Sequence, residues 1–382
     1  MNETSFIEIN QTALLNNINF IKTIIGENCE LVSVIKGNAY GHGIKNIAPI
    51  LSQFGVKSFA VFSAFEAHKI VEANVNYKRI VIMGDVDEGI EWTIENEIEF
   101  FVFDETRLNN TIHLAKKLNK KAKVHLEIET GLNRTGFTKK ELKGILTLLK
   151  ANESHISIEG VCSHLAGAED IANYFRITKQ ISQFNSTLKH LKKENINYKN
   201  AHLACSAAVM NYPKTINTMA RVGIMQYGFW PSKQVKIAYL ANQKDKVDPL
   251  QRVISWKSKV MSIKTVSEGE YIGYGNSYLT ETTTKIATIP VGYAHGFSRS
   301  LSNQGKVLIN GSRVDIVGIV NMNMIIADVT NLDKVNKGDE VVLIGEQNGL
   351  SISVASFSDL SSQLNYELLT RLPNDIPRII TK

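Results

Sequence analysis

The stretch Leu31-Val32-Ser33-Val34-Ile35-Lys36-Gly37-Asn38-Ala39-Tyr40-Gly41-His42-Gly43 joins an apolar, β-branched run to a Gly-rich turn. That is how a buried strand that stops abruptly is written. Lys36 stands at the last residue of the run. Burying an ammonium is costly unless it is paired or neutralised. Desolvation lowers a lysine pKa, which suits an amine that attacks a carbonyl and forms a Schiff base. Glycines on both sides of Tyr40 allow a bulky group to lie against the backbone. Taken alone, Lys36-Gly37 also fits a strand end with a snorkelling surface lysine.

Outward from this strand, the sequence up to about Tyr227 alternates short apolar runs with amphipathic stretches. The runs are Leu31–Lys36, Ser58–Ser63, Arg79–Gly84, Glu99–Phe103, Val124–Glu129, Ile158–His164, Asn200–Ser206 and Arg221–Gly228. Between them, stretches such as Lys139–Lys150 and Tyr174–Lys193 space Ile, Leu and Phe at helical intervals against Lys, Gln and Asn. Strands alternating with helices imply a parallel sheet, and eight such units suggest a closed (β/α)8 TIM-type barrel. An open doubly wound sheet is the other architecture the pattern allows. No Gly-x-Gly-x-x-Gly follows the first run, which disfavours its dinucleotide-binding version.

The pattern changes near residue 235. The polar, mixed segment Val235–Asp248 reads as a linker, and residues 1–237 and 238–382 as two domains. After it come Arg252–Val266, Lys285–Val291, Lys306–Ile309, Arg313–Val320, Met324–Val329 and Glu340–Gly345, separated by turn signals such as Asn310-Gly311. They predict a C-terminal all-β domain. A helix is expected near Ser353–Ser362, ahead of a tail Thr370–Lys382, and the early strand Phe6–Asn10 suits either domain.

The chain has 382 residues, 43% hydrophobic and 21% charged, enough for two domains with real cores. It contains no apolar run of membrane-spanning length and no signal peptide, so a cytoplasmic protein without a membrane segment is expected. Cys29, Cys162 and Cys205 are too few and too scattered for a disulfide framework or a metal site. The net charge of +6 comes from dispersed lysines. Nucleic-acid binding calls for a concentrated basic stripe, and none is present.

A barrel of this kind places its active site at the C-terminal ends of its strands. The polar residues there are Lys36 and Tyr40, Arg134, His164, Ser206, and Arg221 with Gly223 and Ile224. A hydroxyl at Ser206 and amides at Gly223 and Ile224 suit a phosphate, which barrels hold in the loops after strands seven and eight. Singly, His164 fits a packed polar group, Arg134 a surface ion pair and Arg221 an exposed strand start. Their falling on one predicted face favours a site.

Nearly the whole chain resembles the alanine racemases, a family of the fold-type III pyridoxal-phosphate class. The resemblance runs through the Lys36 segment, Glu129-Thr130-Gly131-Leu132-Asn133-Arg134, Ser163-His164-Leu165-Ala166, Ser206-Ala207-Ala208, Arg221-Val222-Gly223-Ile224 and Tyr227-Gly228. It continues in the second domain at Gly273-Tyr274-Gly275, Val291-Gly292-Tyr293-Ala294 and Asn321-Met322-Asn323. The resemblance implies that Lys36 binds pyridoxal 5′-phosphate covalently and that Tyr40, Ser206, Gly223 and Ile224 hold its phosphate. Arg221 would face the pyridine nitrogen, and His164 would link Arg221 to the catalytic tyrosine. Arg134 would contact the cofactor and the substrate carboxylate. Tyr293, Met322 and Asn323 fall on the substrate side. Tyr274 would come from a partner subunit of a homodimer as the second base, opposite Lys36. Cell-wall precursor supply is the role the family implies. A tyrosine is a poor base at its ordinary pKa of about 10, so a charged network must assist it. An arginine at the ring nitrogen disfavours its protonation and limits side reactions. A related decarboxylase would be expected to offer a carboxylate there, and a non-catalytic cofactor carrier would lack the Tyr274 and Tyr293 segments.

Three positions depart from the family pattern. Glu127 stands where many members have a modified lysine that orients the arginine, so an Arg134–Glu127 pair is expected. Asn323 lacks the charge usual in its motif. Asn374, in Pro373-Asn374-Asp375-Ile376-Pro377-Arg378, replaces a tyrosine at the entrance, as in the alanine/serine racemases. Asparagine is smaller and hydrogen-bonds both ways, so serine is expected as a second substrate beside alanine, or even as the main one.

Overall fold

The computed structural model describes residues 3–354 and 365–382. Its strands, in chain order, begin with β1 (Ser5–Asn10), β2 (Glu30–Val34), β3 (Ser58–Ser63), β4 (Arg79–Asp85) and β5 (Glu99–Val102). They continue with β6 (Ala122–Glu127), β7 (Ile156–Cys162), β8 (Asn200–His202) and β9 (Met219–Val222). The later ones are β10 (Ile254–Lys259), β11 (Ser262–Val266), β12 (Thr284–Ile289), β13 (Lys306–Ile309) and β14 (Ser312–Asp315). Last come β15 (Ile325–Asp328), β16 (Glu340–Gln347), β17 (Leu350–Ile352) and β18 (Arg378–Thr381). The chain divides into two compact units, one of residues 13–39 and 47–251, the other of residues 1–12, 40–46 and 252–382.

The first unit is the barrel. Its eight-stranded parallel sheet runs β8-β7-β6-β5-β4-β3-β2-β9. A parallel bridge between Cys205 and Arg221, with the Arg221 N–H donating to Ala204 O at 3.0 Å, joins its two ends. Each of the eight apolar runs supplies one strand. Most strand residues are buried on both faces because helices cover them outside and side chains fill them inside. The helix Lys139–Ala151 buries Leu142, Ile145, Leu146 and Leu149, and Thr138 with Glu141 forms a capping box at its start. Ser63 and Asp104 cap two other barrel helices.

The expected linker Val235–Asp248 is part of this unit, and Lys233–Ala241 is a helix capped by Ser232. Its lysines and glutamine face outward, while Tyr239 packs edge-on against Phe20 at 5.4 Å and lies 5.2 Å from Trp230. Polar composition here marks the outer face of a helix rather than a free connection.

Among the described residues, the second unit is mostly β, with the helix Asn365–Arg371 and short turns. One sheet runs β14-β13-β16-β10-β1-β18, with β17 on β16, and a three-stranded sheet runs β11-β12-β15. The early strand β1 pairs antiparallel with β10 and parallel with β18, so it belongs here. The expected run Arg252–Val266 is two strands, β10 and β11, in different sheets. The tail contains β18 and the last two residues of the Asn365–Arg371 helix. The helix expected near Ser353–Ser362 lies largely outside the described residues. Among the described residues no helix is long and apolar enough to cross a membrane.

Candidate active site

β2 ends at Val34, and the backbone then turns left-handed. Gly37, Asn38, Ala39 and Tyr40 all have φ between 52° and 62°. Three of these are not glycine, and such a conformation costs an L-residue roughly 1–2 kcal/mol. The turn is braced by Ala39 N–H to Ile35 O at 2.8 Å and by Asn38 N–H to Glu66 Oε1 at 3.1 Å. Glu66 also accepts Phe62 N–H at 2.9 Å. Strain concentrated in one well-braced turn commonly marks a functional site, and this turn starts at Lys36.

The Lys36 side chain is open to solvent at the end of the barrel, yet enough protein surrounds it that desolvation lowers its amine pKa. The charges of Arg134 and Arg221 lower it further, and Glu66 opposes them. His164 is pushed down to about 3 by burial and by the charges of Arg221, Arg134 and Lys36, so its imidazole is neutral at ordinary pH. Lys36, Arg134, His164 and Arg221 therefore converge. Three basic side chains near one neutral imidazole make this end of the barrel electropositive, which fits an anionic aldehyde-bearing cofactor.

Arg221 is buried. Its Nη1 donates to His202 Nδ1 and, at 2.9 Å, to His202 O, and its Nη2 donates to Ser163 O at 2.8 Å. The imidazole bonded to Arg221 is thus His202. His164 meets the guanidinium through charge, with no hydrogen bond between them among the described residues. Glu127 is buried and its carboxyl pKa is raised by that burial; Thr135 donates to it, and Arg134 acts on it through charge. No ion pair within 4.0 Å joins Glu127 to exposed Arg134, so the expected pair is replaced by the Thr135 contact.

Ser206 opens the helix Ser206–Asn211, and its Oγ accepts Gly223 N–H at 3.0 Å. Ile224 follows at the start of the turn Ile224–Tyr227. Ser206, Gly223 and Ile224 are thus brought together in the loops after β8 and β9. Gln226 stitches this turn to β2: Ser33 Oγ donates to its Oε1 at 2.6 Å, and its Nε2 donates to Val34 O at 2.9 Å. Buried Gln180 similarly joins the loops after β6 and β7, donating to Thr130 Oγ1 at 3.3 Å and to His164 O at 3.0 Å. Glu66, Gln226, Gln180 and His202 were not evident in the sequence. Their signal is a polar residue in an apolar stretch, which does not say which way it points.

In the second unit, Tyr274 lies at a loop tip, 70% exposed, between Gly273 and Gly275, both with positive φ. Ile272 and Tyr278 anchor the loop against Ile286, Val317 and Ile326, and Ile272 N–H donates to Tyr278 O at 3.0 Å. Tyr293 and Met322 are brought side by side. Tyr293 N–H donates to Asn321 O and Ala294 N–H to Met322 O, each at 3.0 Å. A Cβ on Gly292 would sit 2.2 Å from Asn321 O, so only glycine allows this approach. Asn323 is exposed beside them. The Arg378 guanidinium donates to Gly41 O at 3.0 Å, Pro373 O at 2.8 Å and Asn374 O at 3.0 Å. It thereby ties the Asn374 loop to the residue after Tyr40, whose ring meets Tyr366 edge-on at 6.3 Å.

Residues 9–231 match the family model for the alanine racemase N-terminal domain, and residues 253–380 that for the C-terminal domain. An alanine racemase of Clostridium perfringens is 34% identical over 376 residues, spanning 98% of this chain and 95% of that protein. The solved alanine racemase of Clostridium difficile 630 superposes with a TM-score of 0.90 at 31% identity, covering 100% of this chain and 96% of the other. An alanine racemase of Bartonella henselae, solved with covalently bound pyridoxal phosphate, gives a TM-score of 0.84 at 28% identity, covering 100% of both chains.

Proposed function

The chain belongs to the alanine racemase family, and on that premise we propose that it interconverts L- and D-alanine, with Lys36 and Tyr274 of a partner subunit as the two proton-handling groups. Enzymes of this family depend on pyridoxal 5′-phosphate. When bound, it supplies an aldehyde for the substrate amine and an electron sink that acidifies the α-C–H. The observation that carries the reading is the convergence of Lys36, Arg134, His164 and Arg221 at one end of the barrel.

Each residue then has a task. Lys36, with its lowered pKa, holds the cofactor and exchanges a proton on one face of the substrate. The Tyr274 phenol exchanges one on the opposite face, and its glycine-flanked exposed tip suits insertion into a second copy. Ser206 Oγ, the Gly223 and Ile224 amides and the Tyr40 phenol hold the phosphate. Arg221, fixed by His202 and Ser163, directs a remaining N–H to the ring nitrogen. Arg134 receives the substrate carboxylate, and the Met322 amide, Tyr293 and Asn323 also serve the substrate. Buried Glu127 orients the loop of Arg134 through Thr135. His164, kept neutral, adds no further positive charge to the pocket. Asn374 admits a hydroxymethyl side chain, so serine is racemised as well.

The test is proton exchange in D2O. With either alanine enantiomer, the purified protein incorporates α-deuterium and yields the other enantiomer. Lys36→Ala and Tyr274→Phe each lower racemisation by a factor of about a thousand or more, as expected for loss of an essential acid–base group. Full activity in either variant would defeat the two-base assignment.

A further inference from the structure

A chain of buried polar side chains runs inside the barrel, starting at Arg221. His202 Nε2 lies 2.8 Å from His125 Nδ1, and His125 Nε2 lies 2.7 Å from Glu99 Oε2. Arg79 Nη1 donates to the same Glu99 oxygen at 3.1 Å, and its Nε lies 3.0 Å from Glu30 Oε1. All of Arg221, His202, His125, Glu99 and Arg79 are buried.

The two ends of this chain fix every proton between them. A guanidinium has no acceptor, and a carboxylate has no donor. Arg221 therefore donates to His202 Nδ1, which leaves the His202 proton on Nε2. That proton is given to His125 Nδ1, so His125 also carries its proton on Nε2 and donates it to Glu99. Reversing either ring would set two N–H groups, or two lone pairs, against each other. An added proton on either imidazole would find no acceptor in the chain.

The barrel makes room for this arrangement at one residue. Gly160 in β7 lies between the two rings, and a Cβ there would stand 2.3 Å from His125 Nδ1 and 2.8 Å from His202 Nε2. Phe101 packs on both rings, with centroids 5.8 and 5.9 Å away. Burial and the Arg221 charge hold His202 well below its ordinary pKa. Burial opposes ionisation of Glu99, but the hydrogen bond from His125 and the charges around it hold the carboxyl below its usual range.

We propose that Glu99 is a positioning residue for the reaction: acting through the fixed tautomers of His125 and His202, it holds the Arg221 guanidinium where the cofactor ring nitrogen is to be met. The inference rests on the functional reading above, but its first test does not need the cofactor.

In the full-length chain with 15N-labelled histidine, both rings are expected as neutral, Nε2-protonated tautomers. Glu99→Leu removes the terminal acceptor, mixes the tautomers at both rings and weakens pyridoxal-phosphate binding about tenfold, the scale of a lost bond to a buried charged group. Glu99→Gln keeps an acceptor oxygen and retains the tautomers. Gly160→Ala, which leaves every titratable side chain in the sequence but sets a methyl between the two imidazoles, separates the rings and reproduces the loss of cofactor affinity. A purely structural role would lower melting temperature and leave tautomers and affinity as in wild type. Nδ1 protonation at either ring of the wild type, or a Glu99→Leu protein with unchanged tautomers and affinity, overturns the proposal. A wild-type chain that takes up no pyridoxal phosphate defeats the functional reading alone, since the tautomers still decide for or against the fixed proton chain.

Discussion

The pocket's behaviour is set by a few side chains whose charge is decided by their neighbours. His164 illustrates the sign of the effect. Its pKa falls from 6.5 to about 3 in the fold. Below about pH 6.5 the unfolded chain binds a proton that the native ring refuses, so native stability drops as pH falls through that window and levels off near 3. His164→Gln in the cofactor-free protein is therefore expected to flatten the acid limb of the urea-midpoint profile and to leave the region above pH 7 unchanged. His202, which burial also holds well below its ordinary pKa, keeps part of that slope. At the entrance, Asn374→Tyr should lower the serine-to-alanine turnover ratio by about tenfold, the scale on which pockets discriminate small side chains. An unaltered ratio would remove serine as a substrate class explained by Asn374. These residues were partly legible before the fold was known. Lys36, Arg134, His164, Ser206 and Arg221 stand at strand ends, where chemistry is expected. Glu99 opens β5, His125 lies within β6 and His202 closes β8, and only the barrel's register reveals that they meet.

At the level of elements, the turn after Lys36 and the segment that follows it are where backbone geometry is least forgiving. Gly41 has φ +83°, and a Cβ there would fall 1.9 Å from Leu369 O. Gly26 has φ +74° with nothing within 4 Å. Urea unfolding separates the two costs. Gly26→Ala should lose about 1 kcal/mol, the conformational term alone, whereas Gly41→Ala should lose at least about 3 kcal/mol, because backbone must also move. Equal losses would mean that the Leu369 approach is easily relieved. The glycines of this stretch were visible in the sequence. That Asn38, Ala39 and Tyr40 continue the left-handed path was not, because propensity assigns such residues a right-handed or extended backbone. Elsewhere the eight barrel strands were legible because each falls in a short run rich in apolar residues, repeated between amphipathic stretches. β18 was missed because Ile379 and Ile380 are exposed on a four-residue edge strand beside prolines. β10 and β11 read as one run because the break between them falls at apolar Val260 and Met261.

The whole molecule is proposed to act as a pair of chains. Tyr274 is exposed on its loop, and Tyr271, Tyr293 and Met322 of the same unit are exposed as well, an apolar set that a partner would cover. Complementation tests the arrangement. Lys36→Ala and Tyr274→Phe homodimers are each inactive, but unfolding and refolding them together makes mixed dimers in which one site has both groups intact. About a quarter of wild-type activity should return if the tyrosine is donated across a twofold axis. No recovery would place both groups on one chain. The same fold has a consequence for synthesis. β1 is made long before either of its neighbours, β10 and β18. Until β18 is made, the strand bearing Ile7 and Ile9 has one edge without its companion. A deletion of Arg378–Thr381 alone would leave that edge of β1 open, so damage at residues 378–381 is felt at residues 7–10.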